Sequence, residues 1–328
     1  MPQPDEDAGV QCVLVVPAFN EEAAIVHALD AVLADPLPPG FSWREWVILD
    51  DGSVDRTVEV VRAWSAAHPD VPLRIRVDGR RLGKTARLEE MHRELLDAGR
   101  HADVSVGLDA DSTPDPGAVA ALVGPFATDA ALAMTSGVDL PRVARWGTRA
   151  SVFQRRVTAR LARWNGVHVP RAVGRMYAYR VGRLGDFHWR DGSMGDDVQM
   201  AAYVHSQGLP FLSVWEAVVR MVPAASWRDF YRQTYRARVA RRVLAEMGVV
   251  APEAMNRWRL LAFLRTALVD PAGGAAYLVA RFVSFAMHRV RPAVFRATWE
   301  ISPSTKRVVV GHPQPAAAPL AATRRQET

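Results

Sequence analysis

Between residues 12 and 108 the chain alternates short apolar runs with stretches of helical spacing, and most of the runs end in a polar cluster. Cys12 to Val16 reads as a strand bounded by Pro17 and Asn20. Glu21 to Leu33 follows with apolar residues at helical spacing (Ala24, Ile25, Ala28, Leu29, Val32). Trp46 to Leu49 is a second buried strand, Asp55 to His68 a second helix and Leu73 to Val77 a third strand. Thr85 to Ala98 is again helical, and Val104 to Leu108 is a fourth strand ending at Asp109. This alternation specifies an α/β chain with a mostly parallel sheet and helices on both faces. Ligands of such sheets bind outside the carboxyl ends of the strands. The polar clusters fall at those ends: Asn20, then Asp50 and Asp51, then Asp109 and Asp111.

Past residue 140 the alternation stops. Residues 149–164 form a basic amphipathic helix, with Val152, Phe153, Val157, Leu161 and Trp164 on one side and Arg155, Arg156, Arg160 and Arg163 spread over the other. Ser226 to Met247 is a second basic helical stretch. Residues 258–290 are apolar but broken by Arg265, Asp270 and Arg281. The longest uncharged run there, Pro271 to Ala280, is ten residues, half of the roughly twenty that a spanning helix needs. The expectation is therefore no transmembrane helix. The segment is either an interfacial helix pair, favoured by the flanking Arg257, Arg259, Arg289 and Arg291, or a buried packing layer. The resulting division is a flexible tail over 1–10, a main domain over 11–247, a C-terminal helical and amphipathic segment over 248–310, and a disordered tail over 311–328.

The formal net charge is +6, concentrated where 142–183 hold many arginines and almost no acids. That excess suits phosphorylated ligands or an anionic membrane surface. Interleaved aromatic and basic residues of an RNA module are missing, so no nucleic-acid partner is expected. The acidic, proline-bearing start does not read as a signal peptide, and the one cysteine, Cys12, sits in an apolar run. The expected location is cytoplasmic, peripheral on the inner face of the cell membrane.

Leu108-Asp109-Ala110-Asp111-Ser112 carries the clearest chemistry. Two carboxylates at i and i+2, where a strand runs out, reach one hard cation, and oxygen ligands suit Mg2+ or Mn2+ beside substrate phosphates. Taken alone, the pattern is equally a turn built on aspartate with Pro114 and Pro116. Four further motifs accompany it: Val16-Pro17-Ala18-Phe19-Asn20-Glu21-Glu22, Leu49-Asp50-Asp51-Gly52-Ser53, Gly83-Lys84-Thr85 and Gly195-Asp196-Asp197-Val198.

In this order the set resembles the family-2 glycosyltransferases of the GT-A fold, over roughly residues 12–240. The resemblance implies that Pro17, Ala18, Phe19, Asn20 and Glu22 lie along the donor nucleotide. One of Asp50 and Asp51 would hold its base, and Lys84 would stand near the diphosphate. Asp109 and Asp111 match the metal motif, with Asp109 also facing the donor. Asp197 matches the catalytic base of an inverting transfer, with Asp196 in support. Gln233-Thr234-Tyr235-Arg236-Ala237 resembles the Gln-x-x-Arg-Trp motif of processive members, with Ala237 in place of the tryptophan. Gln233 and Arg236 would then steady the leaving diphosphate while a single sugar is transferred. Gly174 to Arg180 resembles a segment of the acceptor wall.

The implied activity is metal-dependent transfer of one sugar, with inversion, from a UDP- or GDP-sugar to an acceptor hydroxyl. The acceptor is a lipid-linked or cell-envelope glycan, or else a small molecule handled by a soluble enzyme. Two other classes compete. A nucleotidyltransferase would carry a glycine-rich basic loop after the first strand, which Pro17 to Glu22 lacks. A non-catalytic nucleotide-sugar-binding protein would not need all of Asp109, Asp111 and Asp197. The histidines are assigned no metal, and Trp189 is read as a packing residue.

Overall fold

The computed structural model describes residues 9–142, 148–164, 173–189, 195–234 and 253–290. Four strands open the fold: β1 (Val10–Ala18), β2 (Phe41–Asp50), β3 (Leu73–Arg76) and β4 (Val104–Leu108). Helices α1 (Ile25–Leu33), α2 (Thr57–Ala67) and α3 (Lys84–Asp97) connect them. The four strands are parallel neighbours in the order β3-β2-β1-β4. β1 lies inside this set, and Cys12 to Val16 are at most 2% exposed.

Successive residues of a strand point to opposite faces, which explains why these runs are apolar throughout rather than alternating. Leu14, Val16, Trp46 and Ile48 go to one face, under Ile25 and Leu29 of α1 and Val61 and Trp64 of α2. Val13, Val15, Val47 and Leu49 go to the other, under Leu88, Met91 and Leu95 of α3. Each face is thus a full core layer, and the strand ends are left as the open edge.

The second half of the sheet is mixed. β5 (Ser112–Pro114), α4 (Ala118–Val123), α5 (Pro125–Thr128), β6 (Met134–Pro141), α6 (Arg149–Trp164), β7 (Met176–Arg180), α7 (Asp196–Ser206) and β8 (Phe211–Met221) follow in sequence. The full order is β3-β2-β1-β4-β7-β6-β8-β5. β7 runs antiparallel to both β4 and β6, β8 is parallel to β6, and β5 is antiparallel to β8. The parallel set therefore ends at β4, where the reversed β7 brings residues 174 and 175 up to the carboxyl end of β4. At that join Tyr177 lies across Gly107, where a Cβ would stand 2.5 Å from the ring Cζ. Only glycine admits this approach.

After β8 the helix α8 is described over 227–234, and α9 (Glu253–Val269) and α10 (Pro271–Val290) complete the fold. The break between α9 and α10 is at Asp270-Pro271, so the apolar segment is a pair of helices divided at one of the charges that interrupt it. Asp270 takes the Gly273 amide at 2.9 Å and pairs with Arg149 (3.1 Å) and Arg156 (3.6 Å) of α6. Phe153 packs against Phe263 and Tyr277. One side of the pair is thus a packing layer on α6. The other side is open: Leu260, Leu264 and Leu268 of α9 and Leu278, Val279, Phe282 and Val283 of α10 are exposed. No helix among the described residues is long and apolar enough to cross a membrane.

Candidate active site

The loop after β1 and the loop after β2 are bound to one another by side chains. Asn20 is in a left-handed conformation (φ 55°), and its amide donates to Ser53 Oγ at 3.0 Å. Its side-chain oxygen accepts from the Val54 amide at 2.9 Å. The Glu21 amide donates to Thr57 Oγ1 (2.7 Å), and the Arg56 amide to Glu22 Oε2 (2.9 Å). α1 starts at Ile25 rather than at Glu21, and the turn that leads into it is closed by the Ala24 and Ile25 amides, which donate to the Glu21 carbonyl at 2.9 and 3.0 Å. Pro17 and Ala18 close β1, and the Phe19 ring lies 3.8 Å under the Arg81 guanidinium.

Asp50 and Asp51 are both buried. Asp50 accepts from the Gly52 and Ser53 amides of its own turn (3.2 Å for each). Asp51 accepts from the Leu82 amide (2.8 Å), the Gly83 amide (2.9 Å) and Arg87 Nε (3.3 Å). The second carboxylate therefore fixes the start of α3, and with it Lys84, against the end of β2.

Lys84 reaches across the sheet edge. Its Nζ donates to Asp109 Oδ1 at 2.7 Å and to the Gly174 carbonyl at 3.2 Å, and lies 2.8 Å from Asp196 Oδ2. With a fifth of the side chain exposed, desolvation works against the ammonium, but the Asp109 and Asp196 charges outweigh it and its pKa stands well above the ordinary value.

Asp196 and Asp197 open α7 behind Gly195, which is left-handed (φ 85°). The carboxylates thus sit at a helix N-terminus, where anionic charge is favoured. Asp197 Oδ2 accepts from the Gly174 amide at 3.0 Å, and a Cβ at residue 174 would lie 3.0 Å from Asp197 Cγ. Burial, then the Asp196 charge, pushes the Asp197 carboxyl up to about 7. Burial likewise raises Asp196, against the pull of Lys84. Trp189 is buried in the core, and its indole N–H donates to the Asp196 carbonyl at 3.2 Å, so it positions this turn from beneath.

Asp111 pairs with Arg175: Nη1 is 2.7 Å from Asp111 Oδ1, 3.0 Å from Ser112 Oγ and 3.9 Å from Asp109 Oδ2. Behind them Asp139 of β6 is 2% exposed and pairs with Arg155 of α6. Arg175 Nε is 3.9 Å from Asp139 Oδ2.

The structure thus brings Lys84, Asp109, Asp111, Asp196 and Asp197 to one edge, and sets the 17–22 loop beside the Asp50-Asp51 turn. Gln233 lies half-buried on α8, while Arg236 lies outside the described residues. Met176 to Tyr179 are buried in β7, which leaves Gly174 and Arg175 as the part of that segment facing the acids. His92 is core: it bonds the Leu184 carbonyl at 2.9 Å, and burial lowers its pKa to about 4. Sequence reading missed Asp139 and Arg155, and gave Arg175 no role of its own. An aspartate in the middle of an apolar strand (Met134–Pro141) is the signal that marks Asp139.

Among the described residues no three His, Cys, Asp or Glu side chains converge as a complete metal cage. Mg2+ and Mn2+ do not require one, since they are commonly held by one or two carboxylates with phosphates and water. Asp109 and Asp111 supply that pair. Five carboxylates (Asp109, Asp111, Asp139, Asp196, Asp197) share three basic groups (Lys84, Arg155, Arg175), so the edge accommodates added positive charge. The residues present fit a hard divalent ion.

Residues 10–240 match the family described as glycosyltransferase like family 2. Over 71 residues the chain is 38% identical to dolichyl-phosphate beta-glucosyltransferase ALG5A of Trichomonas vaginalis, which is 20% of this chain and 22% of that protein. The chain thus spans about a fifth of the length of the curated relative it matches. Among solved structures, the mannosyltransferase PcManGT from Pyrobaculum calidifontis, in complex with GDP-Man and Mn2+, aligns with a TM-score of 0.58. It is 20% identical, over 89% of this chain and 80% of that one. The glucosyl-3-phosphoglycerate synthase from Mycobacterium tuberculosis, in complex with Mn2+, UDP and phosphoglyceric acid, aligns with a TM-score of 0.50. It is 24% identical, over 74% of this chain and 81% of that one. These two likenesses show the fold, a GT-A sheet.

Proposed function

The chain belongs to the glycosyltransferase-like family 2, and from that premise we propose that it transfers a single sugar, with inversion, from a UDP- or GDP-sugar to an acceptor hydroxyl. The observation that carries this reading is the edge at which Asp197, its carboxyl raised to about 7, stands beside the Asp196–Lys84–Asp109 chain. A general base works best when its pKa is near the working pH.

In this reading the 17–22 loop and the Asp50-Asp51 turn hold the nucleotide, with Phe19 and Arg81 at its rim. Asp109 and Asp111 would hold Mn2+ or Mg2+. When bound, that ion supplies positive charge where the diphosphate leaves. Lys84 orients Asp109 and Asp196 and adds a second cation near the departing phosphates. Gln233 and Arg236 would steady the same diphosphate. Asp197 accepts the acceptor's hydroxyl proton. The acceptor oxygen bonds to the anomeric carbon, the glycosidic C–O bond breaks, and its electron pair leaves on the diphosphate. The Gly174 amide, bonded to Asp197 Oδ2, holds the base in line. Proton NMR of the first product formed from an α-linked donor tests the stereochemistry. A β-configured product is expected, and an α-configured one contradicts single displacement at Asp197.

The acceptor we infer is a lipid-linked or cell-envelope glycan presented at an anionic membrane surface. The open side of α9 and α10 supports it: Leu264, Leu268, Leu278 and Phe282 are exposed beside Arg265 and Arg289. Liposome flotation with anionic lipid at low salt is expected to carry the protein upward, and 0.5 M salt to weaken the binding. Protein that stays at the bottom in both conditions points instead to a soluble enzyme acting on a small-molecule acceptor.

A further inference from the structure

We propose that Arg175 is a resident counter-cation that keeps the Asp109–Asp111 pair closed to a divalent ion until a nucleotide diphosphate arrives. The inference rests on the reading of Asp109 and Asp111 as metal ligands and adds to it the residue that decides when they bind.

The guanidinium occupies the ground an ion would need. Nη1 is 2.7 Å from Asp111 Oδ1 and 3.9 Å from Asp109 Oδ2, and it is tied at 3.0 Å to Ser112 Oγ. Arg175 and Asp111 are each 15% exposed, so their charges are weakly screened. The Asp111 and Asp109 charges overcome desolvation and raise the Arg175 pKa. A divalent ion entering between the same carboxylates meets this fixed positive charge at close range, and metal binding on its own is disfavoured.

The structure also provides the place to which the side chain retreats. Asp139 lies behind it on β6, 2% exposed, with Oδ2 at 3.9 Å from Arg175 Nε. Asp139 Oδ1 is buried and has no hydrogen-bond partner among the described residues. A buried carboxylate oxygen without a donor is costly, and a guanidinium with five N–H groups can supply one. The main chain does not have to move, because the Arg175 carbonyl accepts from the Asp109 amide at 3.0 Å. Only the side chain turns, from Asp111 toward Asp139. A nucleotide diphosphate favours that turn twice over: its negative charge offsets the crowded cations, and its oxygens complete the ion's coordination. Metal and nucleotide therefore bind with positive coupling, which is reciprocal.

The test is Mn2+ binding followed by the electron paramagnetic resonance signal of the free ion, without donor turnover. Wild type is titrated alone and with saturating UDP or GDP. Arg175→Gln keeps a hydrogen-bonding side chain but removes the charge, and Arg175→Lys keeps the charge. Without nucleotide, Arg175→Gln is expected to bind Mn2+ about tenfold more tightly than wild type, Arg175→Lys to stay near wild type, and nucleotide to narrow the difference. Equal affinity of wild type and Arg175→Gln without nucleotide, or identical behaviour of the Gln and Lys variants, overturns the proposal while leaving the metal site standing. No Mn2+ binding by any variant, with or without nucleotide, overturns the metal reading and this inference together. Should Arg175→Gln not fold, Asp139→Asn decides. With the retreat position lost, Mn2+ affinity in the presence of nucleotide is expected to fall about tenfold, and an unchanged affinity overturns the proposal.

Discussion

Asp197→Asn is expected to lower sugar transfer about 10²–10⁴-fold, the range over which a positioned base contributes. The substitution is nearly isosteric, and its side-chain oxygen can still accept the Gly174 amide that Asp197 holds at 3.0 Å. The loss would therefore report the missing proton acceptor, with donor binding retained. The pH dependence gives a second signature. Burial and the neighbouring Asp196 raise the Asp197 carboxyl to about 7, so protonation disables it as pH falls through that region. For wild type, kcat/KM should fall on the acid side, with the midpoint shifted by whatever charge the donor brings. The residual rate of the asparagine variant should lack that limb. A wild-type rate in Asp197→Asn, with a defined acceptor, would remove the residue from the mechanism.

Lys84→Met is expected to have the largest effect on stability. The ammonium is the shared partner of Asp109 Oδ1 and Asp196 Oδ2, at 2.7 and 2.8 Å, and also donates to the Gly174 carbonyl. Methionine fills much of the same volume without charge, so packing is kept and the pairing is lost. Removing one member of a buried ionic cluster costs about 3–5 kcal/mol, because the remaining charges stay desolvated. That is a large part of the ~5–15 kcal/mol by which a domain is stable. The sign with pH is fixed by the carboxylates. Asp196 is raised in the folded state, and loss of the lysine raises it further. The folded variant therefore holds protons that the unfolded chain releases, so its deficit should shrink as pH falls toward the ordinary aspartate range and be full at neutral pH. Urea melts of both proteins at pH 5 and pH 8 measure this. A deficit below 1 kcal/mol at pH 8 would show that the ammonium is not the partner holding these acids together.

The sheet could be read from the sequence because its signal is local. Runs such as Cys12 to Val16 and Trp46 to Leu49 are buried on both sides, and each stops at a polar cluster. The same rule fails after residue 140 for a physical reason. β7 is antiparallel and pairs with β4 some seventy residues earlier, a partnership with no periodic mark of its own. Its two tyrosines, buried against Gly107 and His92, read as easily as residues of an exposed wall. Nor does apolar spacing show that Asn20, Glu21 and Glu22, ahead of α1, are tied by hydrogen bonds to the β2–α2 loop.

Within the site, the residues placed by motif are those at strand ends and helix starts, where sequence order maps directly onto position. The ion pairs that connect them do not map that way. Lys84 to Asp196 and Arg175 to Asp111 join elements far apart in sequence, Arg155 to Asp139 joins consecutive ones, and in each case a charged residue does not announce which opposite charge it will meet. Asp139 illustrates the limit. In the sequence it is the one charged residue in the run from Met134 to Pro141, which marks it as unusual, and its burial beside Arg155 and Arg175 is what connects it to the site.

The most direct test of sugar transfer at this edge needs no acceptor. The purified protein is incubated with UDP- and GDP-sugars, with Mn2+ or with chelator, and free nucleoside diphosphate is measured alongside Asp111→Ala and Asp197→Asn. The expected result is slow release from one donor, dependent on the metal and lost in Asp111→Ala. Release that is unchanged by chelator and by Asp111→Ala would contradict the account, because the carboxylates at the end of β4 would then take no part in the departure of the diphosphate.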